Sequence, residues 1–258
     1  MKPIDRFKYN QAESPVYKYG SGHKVVLFLH GWGSSINSWQ SLLSQINKAE
    51  FTAYFLELPG FGDSKTPIKA WKVDDYANMV VAFMDTLEVK PDYLVVHSFG
   101  GRLALKLLVN QNNIFKKAIF IGAAGIKPEL TKFQKLTKLV APYFKTLKTN
   151  KFTKKTYSFF QKFLYKLMGT GDYLKVEGVM RKTFLNVIEE DLTENLAKVK
   201  IPVRLIWGDQ DSYTPLWMGN LMHQKITNSE LIVIEEGKHG LHLQKPDLIV
   251  QNIHEFFS

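Results

Sequence analysis

Apolar positions along the chain fall into two alternating patterns. Short runs such as Val25-Val26-Leu27-Phe28-Leu29, Phe51 to Leu58, Tyr93 to Val96, Ala118 to Gly122, Pro202 to Trp207 and Glu230 to Ile234 are too short for buried helices, and loop residues such as Gly, Ser and Pro follow most of them. They predict strands buried on both faces. Between them, apolar residues recur with helical spacing. Val73, Tyr76, Ala77, Val80, Phe83, Met84 and Leu87 share one face, and helices are likewise predicted after Trp39, after Ser98, near Pro215 to Ile226 and over Asp247 to Phe257. Phe7 to Gln11 and Val16 to Tyr19, joined by a short polar connection, predict an antiparallel pair of edge strands. Repeated strand–helix units imply an α/β architecture with a mostly parallel central sheet flanked by helices.

The alternation stops between Ile126 and about Lys198. Three helices are predicted there. Phe133, Leu136, Leu139, Val140, Tyr143, Phe144 and Leu147 mark the first, with Pro142 as a kink; Phe160, Phe163, Leu164, Leu167 and Met168 mark the second; Val176, Val179, Met180, Thr183, Phe184, Val187 and Ile188 mark the third. The simplest organisation is a core of residues 1–125 and 199–258 with residues 126–198 inserted as a helical lid over the C-terminal ends of the strands, where open α/β sheets bind ligands.

The most informative stretch is Tyr93-Leu94-Val95-Val96-His97-Ser98-Phe99-Gly100-Gly101-Arg102. A buried strand runs into a serine, two glycines and a helix, which presents the serine on a sharp turn and lets the helix backbone pass close by. By itself Ser98 could also be read as a helix cap. Four further stretches change that picture: His30-Gly31-Trp32-Gly33-Ser34-Ser35, Leu58-Pro59-Gly60-Phe61-Gly62-Asp63-Ser64, Gly208-Asp209-Gln210-Asp211-Ser212-Tyr213-Thr214-Pro215 and Lys238-His239-Gly240-Leu241-His242, each following a predicted strand. A serine needs a base, and the base a carboxylate to orient it. Asp209 and Asp211 both stand in the acid loop, and His239 and His242 both stand in the histidine loop. Asp209 reads as a turn former, and His242 as a loop or helix-start residue. His97, His223 and His254 fall on apolar or helical faces, and His23 reads as surface.

In these five motifs and their order the chain resembles the α/β-hydrolase family, in its serine hydrolase, carboxylesterase-like branch. The resemblance spans nearly the whole chain outside the predicted lid. It implies a nucleophile elbow at Ser98, with Val96 departing from the usual Gly-x-Ser-x-Gly. Asp211 matches the aspartate of the family's Gly-x-x-Asp-x-x-x-Pro segment, and His239, seven residues before Pro246, matches its histidine. The implied oxyanion donors are the backbone N–H groups of Trp32 and Phe99, with His30 holding the loop. The implied activity is cleavage of a small-molecule carboxylic ester or thioester through an acyl-enzyme, with no cofactor and no metal. Serine at position 98 argues against the branches that use a carboxylate nucleophile. His-Gly-Trp-Gly with Ser-x-Gly-Gly is similar to the carrier-protein methyl esterases of biotin synthesis, and Ser-Phe-Gly-Gly-Arg to the menaquinone-pathway lyases. Carbon–carbon hydrolysis or such an elimination with the same triad, or a non-catalytic binding scaffold with an elbow distorted by Val96, are the alternatives.

Composition adds three points. The 258 residues contain no cysteine, which excludes disulfides, thiolate metal sites and cysteine nucleophiles. No nucleotide-binding glycine motif occurs, and no segment approaches a signal peptide or membrane span, so a cytoplasmic protein without integral membrane association is expected. The formal charge of +10 is local: eleven lysines lie within 127–166, where Glu129 is the only acid, and the rest of the chain balances. This surplus is either a solvated face or an attractor for an anionic substrate or carrier. Nucleic acid is not expected, since no binding motif accompanies the charge.

Overall fold

The computed structural model describes residues 1–110, 114–127 and 177–258. Its centre is an eight-stranded sheet of order β1-β2-β4-β3-β5-β6-β7-β8. The strands are β1 (Asp5–Tyr9), β2 (Ala12–Tyr19), β3 (Lys24–Leu29), β4 (Phe51–Leu56), β5 (Tyr93–His97), β6 (Lys117–Ile121), β7 (Val203–Gly208) and β8 (Ser229–Ile234). From β4 to β8 every neighbouring pair is parallel, while β1–β2 and β2–β4 are antiparallel.

The short apolar runs form strands because both of their faces are covered, except at β8, an edge strand whose residues are partly buried or exposed. Val25, Leu27 and Leu29 join one buried cluster, while Val26 and Phe28 join the cluster on the opposite face. Leu94 and Val96 part from Val95 in the same way, and Ala118 and Phe120 from Ile119 and Ile121. The period of two along a strand sends alternate side chains to opposite layers, so a sheet sandwiched between helices needs apolar residues at every position. The first layer contains α2 (Val73–Thr86) and α3 (Phe99–Asn110). The second contains α1 (Gln40–Leu43), with the single turn Ile36–Trp39 before it, and the C-terminal helix Pro246–Phe257.

Two readings of the N-terminal strands change. The connection between them is a two-residue turn at Asn10 and Gln11, both at positive φ (44° and 66°), so β2 begins at Ala12 and includes Pro15. Two positive-φ residues match the right-handed twist of a hairpin. Of these two strands only β1 lies at an edge of the sheet, because β2 also pairs with β4.

The predicted helices at 133–147 and 160–168 lie outside the described residues, as does the lysine-rich stretch apart from Lys127. The third is α4 (Gly178–Glu189), which buries Met180, Thr183, Phe184 and Val187. It is pinned to the core through Trp71. The Thr183 Oγ1 accepts the Trp71 N–H at 3.1 Å, and the Asn186 Nδ2 donates to the Trp71 carbonyl at 3.1 Å. A short helix, α5 (Thr193–Leu196), precedes β7. After β7 come α6 (Leu216–Lys225), α7 (Leu241–Gln244) and, as the last element, α8 (Pro246–Phe257). Among the described residues no helix is long and apolar enough to cross a membrane.

Candidate active site

The strand order reverses at β3: the chain moves one way to β4 and the other way to β5. Loops leaving the C-terminal ends of strands open a crevice at such a point. Ser98 stands there, directly after β5. Its φ is +48°, in the left-handed region that a non-glycine residue enters at a cost of roughly 1–2 kcal/mol. The surrounding backbone holds it: the Ser98 N–H donates to the Ile121 carbonyl at 3.1 Å, and the Ser98 carbonyl accepts from Gly101 and Ala124 at 2.9 and 2.8 Å. The two glycines after it have no alternative. A Cβ on Gly100 would lie 2.5 Å from the Leu29 carbonyl oxygen, and one on Gly101 would lie 2.5 Å from the Ala123 Cβ. Val96, where the motif usually has glycine, is fully buried within β5 in the register Leu29–Val96–Phe120.

His239 and Asp211 meet Ser98 across the sheet's edge. The His239 Nε2 lies 2.9 Å from the Ser98 Oγ, and its Nδ1 lies 2.8 Å from the Asp211 Oδ2. Asp211 is 5% exposed, and its Oδ1 accepts the backbone N–H groups of Tyr213 and Thr214, both at 2.9 Å. The Tyr213 ring stacks on the imidazole with centroids 5.0 Å apart. The rivals are placed elsewhere: Asp209 is exposed, and His242 is buried at α7 with neither ring nitrogen hydrogen-bonded among the described residues.

The loop after β3 lies against the elbow, since a Cβ on Gly31 would meet the His97 ring at 2.8 Å and the Ser98 Cβ at 3.3 Å. Among the described residues, the backbone N–H groups of Trp32 and Phe99 donate to no protein acceptor. Their side chains pack on each other at 5.4 Å between centroids, and Trp32 also touches Phe61 at 4.8 Å and Phe184 of α4 at 5.0 Å. His30 holds this loop. Its Nδ1–H donates to the Gly31 carbonyl at 2.8 Å and its Nε2 accepts the Leu58 N–H at 3.0 Å.

Several supporting residues carried no motif. Glu57, 2% exposed, accepts the Ile36 N–H at 3.0 Å and the Asp63 N–H at 2.8 Å, tying the Trp32 loop to the Pro59–Ser64 turn. His97 donates from Nε2 to the His239 carbonyl at 2.9 Å. Thr214 reaches both Asp211 and His239. The only sequence signal for these was residue type: a carboxylate or imidazole at the end of an apolar strand, a hydroxyl in the acid loop. Arg102, by contrast, turns away from the crevice and donates to the Glu190 carbonyl at 2.6 Å. Among the described residues no cluster of three metal-binding side chains occurs.

The sequence and the fold have relatives among known proteins. The alpha/beta hydrolase fold family matches residues 24–246. The chain belongs to this family. It is 25% identical to the uncharacterized hydrolase YugF of Bacillus subtilis, over 100% of this chain and 99% of that protein. It is 23% identical to a pimeloyl-[acyl-carrier protein] methyl ester esterase of Pectobacterium carotovorum, over 92% and 95% of the two. Among solved structures, the esterase EaEST of Exiguobacterium antarcticum superposes with a TM-score of 0.72 at 20% identity, covering 95% of this chain and 96% of that one. Within this alpha/beta hydrolase burial disfavours the charged form of three histidines near the crevice, His30, His97 and His242. Burial pushes His30 down to about 4 and His242 down to about 3; it lowers His97 well below 6.5, helped by the charges of His242 and His239.

That depression has a consequence for stability. Between pH 6.5 and about 4 the unfolded chain binds a proton at His30 that the folded chain refuses. Stability is therefore fully present above pH 6.5 and falls as the solution is acidified towards pH 4. For His30 alone the loss between pH 7 and pH 5 is about 2 kcal/mol. Urea unfolding at the two pH values measures it. The pH 7 to pH 5 difference should shrink by about that amount in His30→Asn; an unchanged difference would show that His30 takes no part.

Proposed function

We propose that this alpha/beta hydrolase cleaves a carboxylic ester or thioester through Ser98, His239 and Asp211. The observation that carries the reading is the continuous pair of hydrogen bonds from the Ser98 Oγ through the imidazole to a buried carboxylate. In this reading the Oγ attacks the substrate carbonyl while the His239 Nε2 takes its proton. Asp211 keeps the Nδ1 protonated and stabilises the imidazolium. The developing oxyanion is met by the N–H groups of Trp32 and Phe99, whose rings brace each other and so preorganise the two donors. The Nε2 then protonates the leaving alcohol or thiol, and water, activated by the same imidazole, releases the acid from the acyl-enzyme.

The segment 126–198 is proposed as the lid, and the contact of Phe184 with Trp32 supports α4 as its base. The aromatic surround of Trp32, Phe61, Phe99 and Phe184 suits an apolar acyl group. The similarity to a methyl ester esterase acting on a carrier-bound acid adds to the case for an ester. The lysine surplus extends the reading to an anionic substrate or acyl carrier, attracted over roughly the 8 Å reached before salt screens it.

A fluorophosphonate tests the nucleophile without knowledge of the substrate. The expected result is one label per chain, on Ser98, found by mass spectrometry after digestion. Absence of labelling, or labelling of another serine, would overturn the proposal.

A further inference from the structure

Resting on Ser98, His239 and Asp211 as the working triad, the geometry points to Thr214 as a fourth member, a positioning residue whose hydroxyl holds the Asp211–His239 contact in register. Thr214 is 5% exposed and directly precedes Pro215 in the acid loop. Its Oγ1 lies 2.9 Å from the Asp211 Oδ2, 3.2 Å from the His239 Nδ1 and 3.0 Å from the Gly122 carbonyl oxygen.

A carboxylate offers about four acceptor positions, and Asp211 meets four donors: two backbone N–H groups on Oδ1, the Thr214 hydroxyl and the imidazole N–H on Oδ2. Thr214 supplies two of the four, its own N–H and its hydroxyl. The backbone pair alone fixes Oδ1. The hydroxyl adds a contact on Oδ2, so the plane of the carboxylate, and with it the direction in which Oδ2 faces the ring, is set from both ends. The hydroxyl carries one proton and two acceptors lie within reach, Asp211 and Gly122; the charged carboxylate is the stronger acceptor and draws the proton onto Oδ2.

The residue is itself immobilised. Its carbonyl accepts the indole N–H of fully buried Trp207 at 2.6 Å. The end of β6 closes the remaining side. Gly122 has φ +48°, and a Cβ there would lie 3.0 Å from the Asp211 Oδ2 and 3.4 Å from the His239 Nδ1. Only glycine lets the backbone come near enough for its carbonyl to reach Thr214.

The test compares Thr214→Val, which keeps the shape and loses the hydroxyl, with Thr214→Ser, which keeps the hydroxyl; Thr214→Ala replaces the valine variant if that one does not fold. The readouts are the rate of fluorophosphonate labelling of Ser98 and the steady-state constants on a p-nitrophenyl ester. Loss of one hydrogen bond to a charged group predicts labelling and kcat lowered by about 10- to 100-fold in Thr214→Val, with KM within about twofold. Thr214→Ser should stay within about threefold of the wild type. In an Asp211→Asn background the same valine substitution should add less than about twofold, because the partner it positions is already gone. A residue that merely packs would show effects that multiply in full, and that result overturns the inference. Labelling of Thr214→Val at the wild-type rate, or a serine variant no better than valine, overturns it as well while leaving the hydrolase reading intact. A wild type that does not label removes both.

Discussion

Ser98→Ala lowers turnover of a short p-nitrophenyl ester by on the order of 10⁴- to 10⁶-fold, with the fold retained. The substitution removes the one atom that the reading asks to form a bond, the Oγ held 2.9 Å from the His239 Nε2. The proposed oxyanion donors, the imidazole and the aromatic surround stay, so substrate affinity is expected to change little and the loss to appear in kcat. The protein folds because the backbone at position 98 is held by its own N–H and carbonyl, which alanine retains. Alanine also inherits the φ of +48°, whereas glycine relaxes it. Ser98→Gly is therefore expected to be equally inactive yet more stable than Ser98→Ala by about 1 kcal/mol, read as the difference in urea midpoint at constant slope. An alanine variant that keeps most of the wild-type activity would refute the covalent mechanism.

Asp211→Asn carries the second large effect, a fall in kcat of about 10⁴-fold. Both carboxylate oxygens face donors: the N–H groups of Tyr213 and Thr214 on one, the Thr214 hydroxyl and the His239 ring on the other. An asparagine can keep its oxygen towards the two backbone donors only by turning its NH₂ towards the imidazole. The ring must then accept at Nδ1, which places the proton on Nε2 and blocks removal of the Ser98 proton. The charge that stabilises the imidazolium is lost as well. The variant should fold, because the two backbone bonds survive. The checks are the ester kcat and the rate of Ser98 labelling, which should fall together. A labelling rate equal to the wild type would show that Asp211 does not act on the nucleophile.

Much of this architecture is legible along the chain. The runs at β3, β5 and β6 are apolar at consecutive positions, as a sheet covered on both faces asks. The elbow can be read because a serine between a buried strand and two glycines has few other uses, and the structure gives each glycine a backbone or methyl group at 2.5 Å to explain it. The acid and histidine loops could be reduced to two candidates each from residue type, and the family motif separated them. The predicted helix of Trp39, Leu42, Leu43 and Ile46 is present as a single turn, Ile36–Trp39, and a four-residue helix, Gln40–Leu43.

Other features depend on contacts between residues far apart in the chain. The interior position of β2 could not be judged from its own pattern, because its second neighbour, β4, begins more than thirty residues later. Val96 departs from the motif, and only the sheet shows that it is fully buried, paired in register with Leu29 and Phe120 on neighbouring strands. Thr214 and Gly122 have no spacing that announces them; they matter because β6 and the loop after β7 end side by side at Asp211 and His239. Local sequence thus determined which segments become strands, helices and sharp turns, through short-range sterics and the period of burial. Tertiary structure alone decided which loop ends meet, because parallel pairing brings the ends of β5, β6, β7 and β8 to one edge, and hydrogen bonds at 3 Å can form only between groups delivered there.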